Sequence, residues 1–510
     1  MPTAAFTTLG CKVNQYETQR ILDSFEESGF AITEFDQPAD VYVINTCSVT
    51  QAAERKSRTM VRKVAARNPQ AAVVMTGCYA EMARIKDESV EEATLIVPNQ
   101  HKLNTLEYVL EAYPRFVNQL ASGEAVQDVR FRPAKRTRAT IKVQDGCNVF
   151  CSFCSIPYTR KFMHSRPMAE IVAEVERKSA QGFREIVITG VLVGAYGYDK
   201  FEPAPAADLP RIDLRSCEHS NAAEIDAEPD LAALLLRLAQ VPGIERVRLS
   251  SIEPTQVTAR LLRAFMQEPK LCPHLHIPLQ SGDTHVLARM NRPYDAEFYL
   301  ERCAEAYSCI PDLAITSDIM VGFPGEDRKA FESTLHVVKS VGYARAHIFR
   351  FSPRPNTPAA DMLDHISETE KSERAAELAG ACKETQQSFV ERHIGRSMEV
   401  LVEGKESHKS SNSAIAPHAP EELGAPHNEI EYADGHSSLL SGYTGNYIRV
   451  QFTGGSHLTG TIATVRLLEP GADGAFGEVG SAYFDPQEAP PDADFYGLSD
   501  FRATLLPGTR

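Results

Sequence analysis

The chain has no uninterrupted apolar run near the roughly 18 residues that a membrane-spanning helix needs. Its opening residues, MPTAAFTTLG, place no basic segment ahead of an apolar stretch, so no secretory signal is read. It also lacks an even, closely spaced set of cysteines. Eleven are scattered through 510 residues, which argues against a disulfide framework and for metal binding or redox chemistry where they cluster. These absences lead to the expectation of a cytoplasmic protein with no membrane partner. Core-forming residues are not scarce: at 43% hydrophobic and 24% charged, the chain can fill three or four domains of about 150 residues.

Positive charge is in deficit, with a net charge of −15, but the deficit is local. Residues 198–230 carry 9 acids and 3 bases, residues 405–440 carry 6 and 2, and residues 471–500 carry 7 and none. What is left sums to +2. Within it, the stretch from Arg130 to Lys142 holds six bases and no acid, and the helical stretch Arg55 to Arg67 adds Lys56, Arg58, Arg62 and Lys63. Phosphate binding requires local basic surface, so overall acidity does not exclude RNA. A solvated charged face is the alternative that charge alone leaves open.

Strand and helix patterns alternate over the first 125 or so residues, with strand-like runs at Ala5–Leu9, Val41–Asn45 and Ala72–Thr76. Such alternation reads as βα units building a parallel sheet. Six more strand-like runs follow, at Ala139–Val143, Glu185–Thr189, Arg246–Ser250, His274–Leu279, Ile315–Val321 and His347–Phe351, separated by helix-length segments. Six βα units suit a partial barrel whose chemistry collects at the C-terminal strand ends, and an open doubly wound sheet fits the spacing almost as well. A charged helical segment, Ser367 to His393, precedes short strands at Met398–Val402, Tyr447–Phe452 and Thr461–Leu467, which read as a small β-barrel. The stretches 200–230, 405–438 and 470–510, rich in acids and Pro, Ala, Ser or Gly, read as loops or disorder.

Cys147, Cys151 and Cys154 form a CxxxCxxC directly after a predicted strand. Thiolates are the ligands of iron–sulfur clusters, and three of them leave one iron of a [4Fe–4S] cube open to a small molecule. A structural zinc site wants a second xx-spaced pair, and none is present. Cys11, Cys47 and Cys78 are remote in sequence but equivalent in position, each just past one of the three N-terminal strands. In a parallel sheet those ends share one edge, so the three can converge on a second site, or be unrelated thiols. Cys217, Cys272, Cys303, Cys309 and Cys382 show no ligand-like grouping, and His274 and His276 read as structural.

CxxxCxxC with Phe153 before its last cysteine resembles the signature of radical S-adenosylmethionine (SAM) enzymes. The wider run Ile141–Pro157 is similar to the methylthiotransferase branch, as are Arg248–Pro254, His276–Gly282 and Ser317–Glu326. Thr8-Leu-Gly-Cys-Lys-Val-Asn-Gln-Tyr-Glu-Thr18 resembles the bacterial enzymes acting on N6-threonylcarbamoyladenosine at tRNA position 37. The isopentenyladenosine branch usually has Gln-Met-Asn after Gly-Cys, and the ribosomal-protein branch Pro-Lys-Asn; here Lys12-Val13-Asn14 stands there. The sequence departs from the family at Lys161, where Gly is usual, at Leu192, where a polar residue is usual, and at Asn356, where Gly is frequent.

The resemblance implies an α/β fold in three parts: an N-terminal methylthiotransferase domain (1–125), a radical SAM partial barrel of the (β/α)6 type (126–375, with an insertion at about 200–230), and a small RNA-binding TRAM β-barrel (396–468, with an insertion at about 405–438). A connecting helix (376–395) and an acidic tail (469–510), expected to be disordered, complete it. It implies two [4Fe–4S] clusters, one on Cys147, Cys151 and Cys154 that binds SAM, the other on Cys11, Cys47 and Cys78 that carries sulfur. In such enzymes SAM cleavage yields a 5′-deoxyadenosyl radical that removes the adenine C2 hydrogen. Radical chemistry is needed because no side-chain base removes that hydrogen. Sulfur then adds, and a second SAM supplies the methyl group. Ser251, Glu253 and Gln280, at or beyond strand ends, are candidate SAM or substrate contacts. Implied partners are the tRNA anticodon loop, an electron donor such as flavodoxin or ferredoxin, and a sulfur source. Other readings are an isopentenyladenosine-37 or ribosomal-protein aspartate substrate, or a non-catalytic iron–sulfur protein that binds RNA or senses redox state.

Overall fold

The computed structural model describes residues 1–48, 50–121, 136–198, 230–405 and 437–479. The two acidic insertions fall almost wholly outside the described residues, as do Cys217 and residues 480–510.

The N-terminal part is a parallel sheet of β1 (Thr3–Thr8), β2 (Ala31–Thr33), β3 (Val41–Thr46), β4 (Ala72–Gly77) and β5 (Leu95–Ile96), in the order β2-β1-β3-β4-β5. Every residue of β3 and β4 is buried. Alternation divides them between two cores: Val41, Val43, Ala72 and Val74 face one layer, and Tyr42, Ile44, Val73 and Met75 the other. The strands β1, β3 and β4 each lead into a helix: α1 (Lys12–Glu27), α2 (Gln51–Arg67) and α3 (Cys78–Ile85) in turn. The edge strands β2 and β5, three and two residues long, are too short to show a period in the sequence.

The middle part contains β6 (Arg138–Asp145), β7 (His164–Ser165), β8 (Glu185–Gly190), β9 (Arg246–Leu249), β10 (His274–His276), β11 (Ala314–Val321) and β12 (Arg345–Arg350). β6, β8 and β9 pair in parallel, as do β10, β11 and β12, and the bridges Val247–Leu271 and Ser251–His276 join the two sheets. Six strands therefore follow one another in chain order without the reversal that a doubly wound sheet requires, and the arrangement is a partial barrel. β7 is an antiparallel addition beside β6. The helix Glu368–Glu391, capped where Ser367 Oγ accepts from Glu370 N at 3.2 Å, begins eight residues before the connecting helix expected at 376–395.

The C-terminal part is a closed barrel of β13 (Ser397–Lys405), β14 (Ser437–Thr444), β15 (Arg449–Gly455), β16 (Ile462–Gly471) and β17 (Gly474–Val479), in the order β13-β14-β15-β17-β16. The end expected at 468 is thus extended: β17 lies in the stretch read as acidic tail. Its sequence, GAFGEV, has little to mark it as a strand, but it pairs with both β15 and β16 and buries Gly474 and Ala475.

This barrel seats a turn on the N-terminal rim of the middle part. Arg248 donates to the carbonyls of Gly445 (2.8 Å) and Thr444 (3.1 Å) while its Nε holds Glu185 at 2.7 Å. Tyr447 stacks on His274 with ring centroids 4.6 Å apart, and Arg138 lies over Tyr443 at 4.9 Å. Of the six bases between 130 and 142, Arg130, Arg132 and Lys135 lie outside the described residues, and exposed Arg136 donates to Gln15 Oε1 at 3.1 Å. Within β6, Arg138 is spent on Glu185 and Glu403, and Lys142 is buried against Glu17 and Asp145. On α2, Arg58 and Arg62 pair with Glu88 and Glu92 at 2.9 Å each, leaving Lys56 and Lys63 exposed.

Candidate metal centre

β6 delivers the CxxxCxxC loop to the C-terminal end of the partial barrel. The turn is made at Gly146, whose φ of +80° and contact with the Phe162 carbonyl leave no room for a Cβ. The loop is then pinned from below. Ser152 N donates to Met290 O at 2.9 Å, Ser152 Oγ to Arg289 O at 2.8 Å, and Asn291 Nδ2 to Phe150 O at 2.8 Å.

Two sulfurs already accept hydrogen bonds: Cys154 Sγ from Ile156 N at 3.4 Å and Cys151 Sγ from Arg292 Nη1 at 3.1 Å. Burial, and then the neighbouring Cys151, push Cys154 up to about 11 and Cys147 well above the usual thiol range. Burial thus favours the protonated thiols, and binding of iron here would be coupled to loss of their protons. Leu192, Met163 and Ala195 pack against Cys147 and Val149, so the apolar residue that departs from the family pattern is a wall of this site. Phe153 packs with Phe323, ring centroids 6.4 Å apart.

Of the three candidate contacts, Glu253 is brought to the loop: it pairs with Arg292, which donates to Cys151. Ser251 bridges β10 at His276, and Gln280, at φ +64°, donates its N–H to Asp318 O at 2.9 Å. Both sit along the same strand ends, and neither bonds to the cysteine loop among the described residues.

Cys11, Cys47 and Cys78 lie together along the C-terminal edge of the N-terminal sheet. Cys11 is the N-cap of α1 and Cys78 the first residue of α3, while Cys47 follows β3. A Cβ on Gly10, which has φ +100°, would stand 2.6 Å from Cys47 Sγ, so the first two thiol-bearing turns meet closely. Asn14 Nδ2 bonds to Leu9 O (2.9 Å) and Thr46 O (3.0 Å), stitching the same turns, and Ala80 N on Thr46 Oγ1 (3.1 Å) adds the third. Cys47 and Cys78 are buried, whereas Cys11 keeps solvent access within a crowded cleft. That crowding raises its pKa; Arg160 lowers it and Cys78 raises it further.

Among the described residues no three His, Cys, Asp or Glu side chains stand close enough to hold one metal ion. Three thiols on one short loop fall short of the four ligands a structural zinc site takes, and match a cube with one open iron.

A buried ionic hub, missed in the sequence, locks the two cysteine-bearing parts together. Glu17 of α1 accepts from Lys102 Nζ (2.6 Å), Lys142 Nζ (2.6 Å) and both Arg160 terminal nitrogens (2.9 Å each). Arg160 also reaches Asp145 (2.7 Å) and Asn14 (2.9 Å). A signal existed: Asn14, Glu17 and Thr18 share the i, i+3, i+4 register of Ile21 and Phe25, placing polar groups on the buried face of α1.

Residues 3–97 match the Uncharacterized protein family UPF0004, and residues 141–338 the Radical SAM superfamily. The threonylcarbamoyladenosine tRNA methylthiotransferase MtaB of Bacillus subtilis (strain 168) is 34% identical over 92% of this chain and 95% of its own length. The Chlamydia pneumoniae enzyme of that name is 36% identical over 82% and 90%. Among solved structures, the radical SAM methyltransferase TsrM from Kitasatospora setae aligns over 71% of this chain and 75% of its own at 12% identity, with a TM-score of 0.45. Fold, cysteine loop and matches define an enzyme of the radical SAM class, whose cofactors are a [4Fe–4S] cluster and SAM. The chain belongs to the threonylcarbamoyladenosine tRNA methylthiotransferase family.

Proposed function

We propose that this chain adds a methylthio group to C2 of N6-threonylcarbamoyladenosine at position 37 of tRNA, in the cytoplasm. The reading is carried by likeness along nearly the full length of relatives that bear this activity in their names. It includes a second [4Fe–4S] cluster on Cys11, Cys47 and Cys78, supported by the shared sheet edge and by the close approach of Gly10 to Cys47. The clusters and SAM, when bound, supply the radical and the sulfur chemistry.

The chain's own residues orient and shield. Arg292, held by Glu253, fixes the Cys151 side of its loop, while Leu192, Met163 and Ala195 exclude water beside Cys147. Ser251, Glu253 and Gln280 line the end where SAM or the base would enter. Arg160 and Glu17 keep the two cysteine sets in one register. In this division, residues 1–125 carry the sulfur site, 126–375 the SAM site, and the barrel from 396 to 479 grips RNA. The target base lies in a single-stranded loop, so its edge is reachable without melting a duplex. Electrons come from a flavodoxin- or ferredoxin-like donor, and sulfur from a separate source. No helix among the described residues is long and apolar enough to cross a membrane.

The test is mass spectrometry of nucleosides from bulk tRNA of cells with and without the gene. Loss of 2-methylthio-threonylcarbamoyladenosine, with its unthiolated precursor accumulating, is expected. An unchanged profile, in cells that contain the modification and have no second copy of the enzyme, overturns the assignment.

A further inference from the structure

A strap of chain after β12, residues 351–360, connects the two cysteine sets. Near one end, the Pro353 carbonyl accepts a hydrogen bond from Gln51 Nε2 at 2.7 Å; Gln51 opens α2, four residues beyond Cys47. Near the other, Ala359 N donates to Ser152 O at 2.9 Å, between Cys151 and Cys154. Asn356, at φ +67°, turns the strap between these anchors, in a left-handed conformation that asparagine tolerates better than most residues.

Arg354 stands on this strap, half-buried. Burial works against its charge, while Cys154 of one set, Cys47 of the other and then Glu54 favour it. Among the described residues its guanidinium has no hydrogen-bonded partner and no carboxylate within ion-pair distance. A half-buried cation with no ion-pair partner gains from any negative charge nearby, Glu54 included, and would gain more from cysteines once they are bound as thiolates. Three thiolates outweigh the positive charge of an oxidised cube by about one unit, and each added electron deepens that excess.

We propose that Arg354 is a counter-charge shared by both clusters, easing the one-electron reduction of each; this rests on the two-cluster reading of the proposed function. The electron comes from an external one-electron donor protein, and no bond or proton moves with it. Arg354 is thus a positioning residue that acts through the clusters, and its effect is read as a potential.

The test is a redox titration followed by electron paramagnetic resonance on the full-length chain with its clusters assembled, comparing wild type, Arg354→Gln and Arg354→Lys. The glutamine variant is expected to move both midpoints to more negative values, and the lysine variant to leave both near wild type. Unmoved midpoints, or a shift at one cluster alone, overturn the proposal. Should the glutamine variant lose iron, the lysine variant decides. Iron retained with wild-type midpoints supports a need for charge, and iron lost from both variants overturns it, because shape would then be what the site requires. Iron analysis of wild type separates the two levels: about four irons per chain instead of about eight would sink the two-cluster reading, and this proposal with it.

Discussion

Arg160 clasps Glu17 with two parallel hydrogen bonds, Nη1 to Oε1 and Nη2 to Oε2, both at 2.9 Å, across the seam between the N-terminal sheet and the partial barrel. Such a fork fixes orientation as well as distance. A slip along this seam would displace α1, and with it Cys11 at its first turn, relative to the CxxxCxxC loop.

Replacing Glu17 by Gln leaves Lys102, Lys142 and Arg160 buried with less negative charge to face. Breaking a buried ionic group costs on the order of 3–5 kcal/mol. Thermal unfolding of E17Q should show a loss in that range, and an unchanged Tm would contradict the role given to the hub.

The hub also sets an acid limit. Burial would raise the Glu17 and Asp145 carboxyls, but Arg160 with Lys102 and Lys142 holds Glu17 well below the usual range, and Arg160 with Lys142 brings Asp145 to about 2. A depressed native pKa contributes stability above the ordinary carboxylate value of about 4, lost as pH falls toward 2. Unfolding measured from pH 6 down to 2 should therefore fall more steeply for wild type than for Asp145→Asn. Comparing the two cancels the acid lability of any bound cluster. Parallel curves would refute the linkage.

Alanine at Cys11, Cys47 and Cys78 together should remove about half of the iron while leaving reductive cleavage of SAM intact. Alanine at Cys147, Cys151 and Cys154 should remove the other half and abolish cleavage. Iron analysis and the release of 5′-deoxyadenosine read the two results separately. Full iron in the first variant would mean that those three thiols are not ligands.

Leu192→Ala opens a void beside Cys147, at a cost of about 2–5 kcal/mol for a buried leucine. Water and oxygen gain a path, so the visible absorbance of the assembled protein should bleach faster in air than that of wild type. Equal bleaching rates would show that the wall is dispensable.

Much of this was legible beforehand because periodicity and strand-end position are local properties. All six strand-like runs of the middle part contain strands, though only His274–His276 of the run to Leu279 is one, and Cys11, Cys47 and Cys78 lie where strand-end equivalence put them. The polar stripe on the buried face of α1 was legible, but its partners were not, because residues 143 apart, as Glu17 and Arg160 are, share no repeat or spacing rule. Nor was β17, whose short glycine-bearing sequence becomes a strand through the neighbours that pair with it. The inward turn of Lys142 was hidden for a similar reason: a run of bases suggests a surface until Glu17 arrives from α1 to pair with it.

β13 and β14 pair in antiparallel register, with Lys405 opposite Leu440, so the chain departs and returns at neighbouring points around residues 406–436. Closing a longer excursion between two such fixed points adds little entropic penalty. The hairpin is in effect a splice port. Length there can be added or removed without re-threading the barrel, and a short turn, an affinity tag or a fluorescent reporter placed at this junction should leave the strand order of the C-terminal part intact.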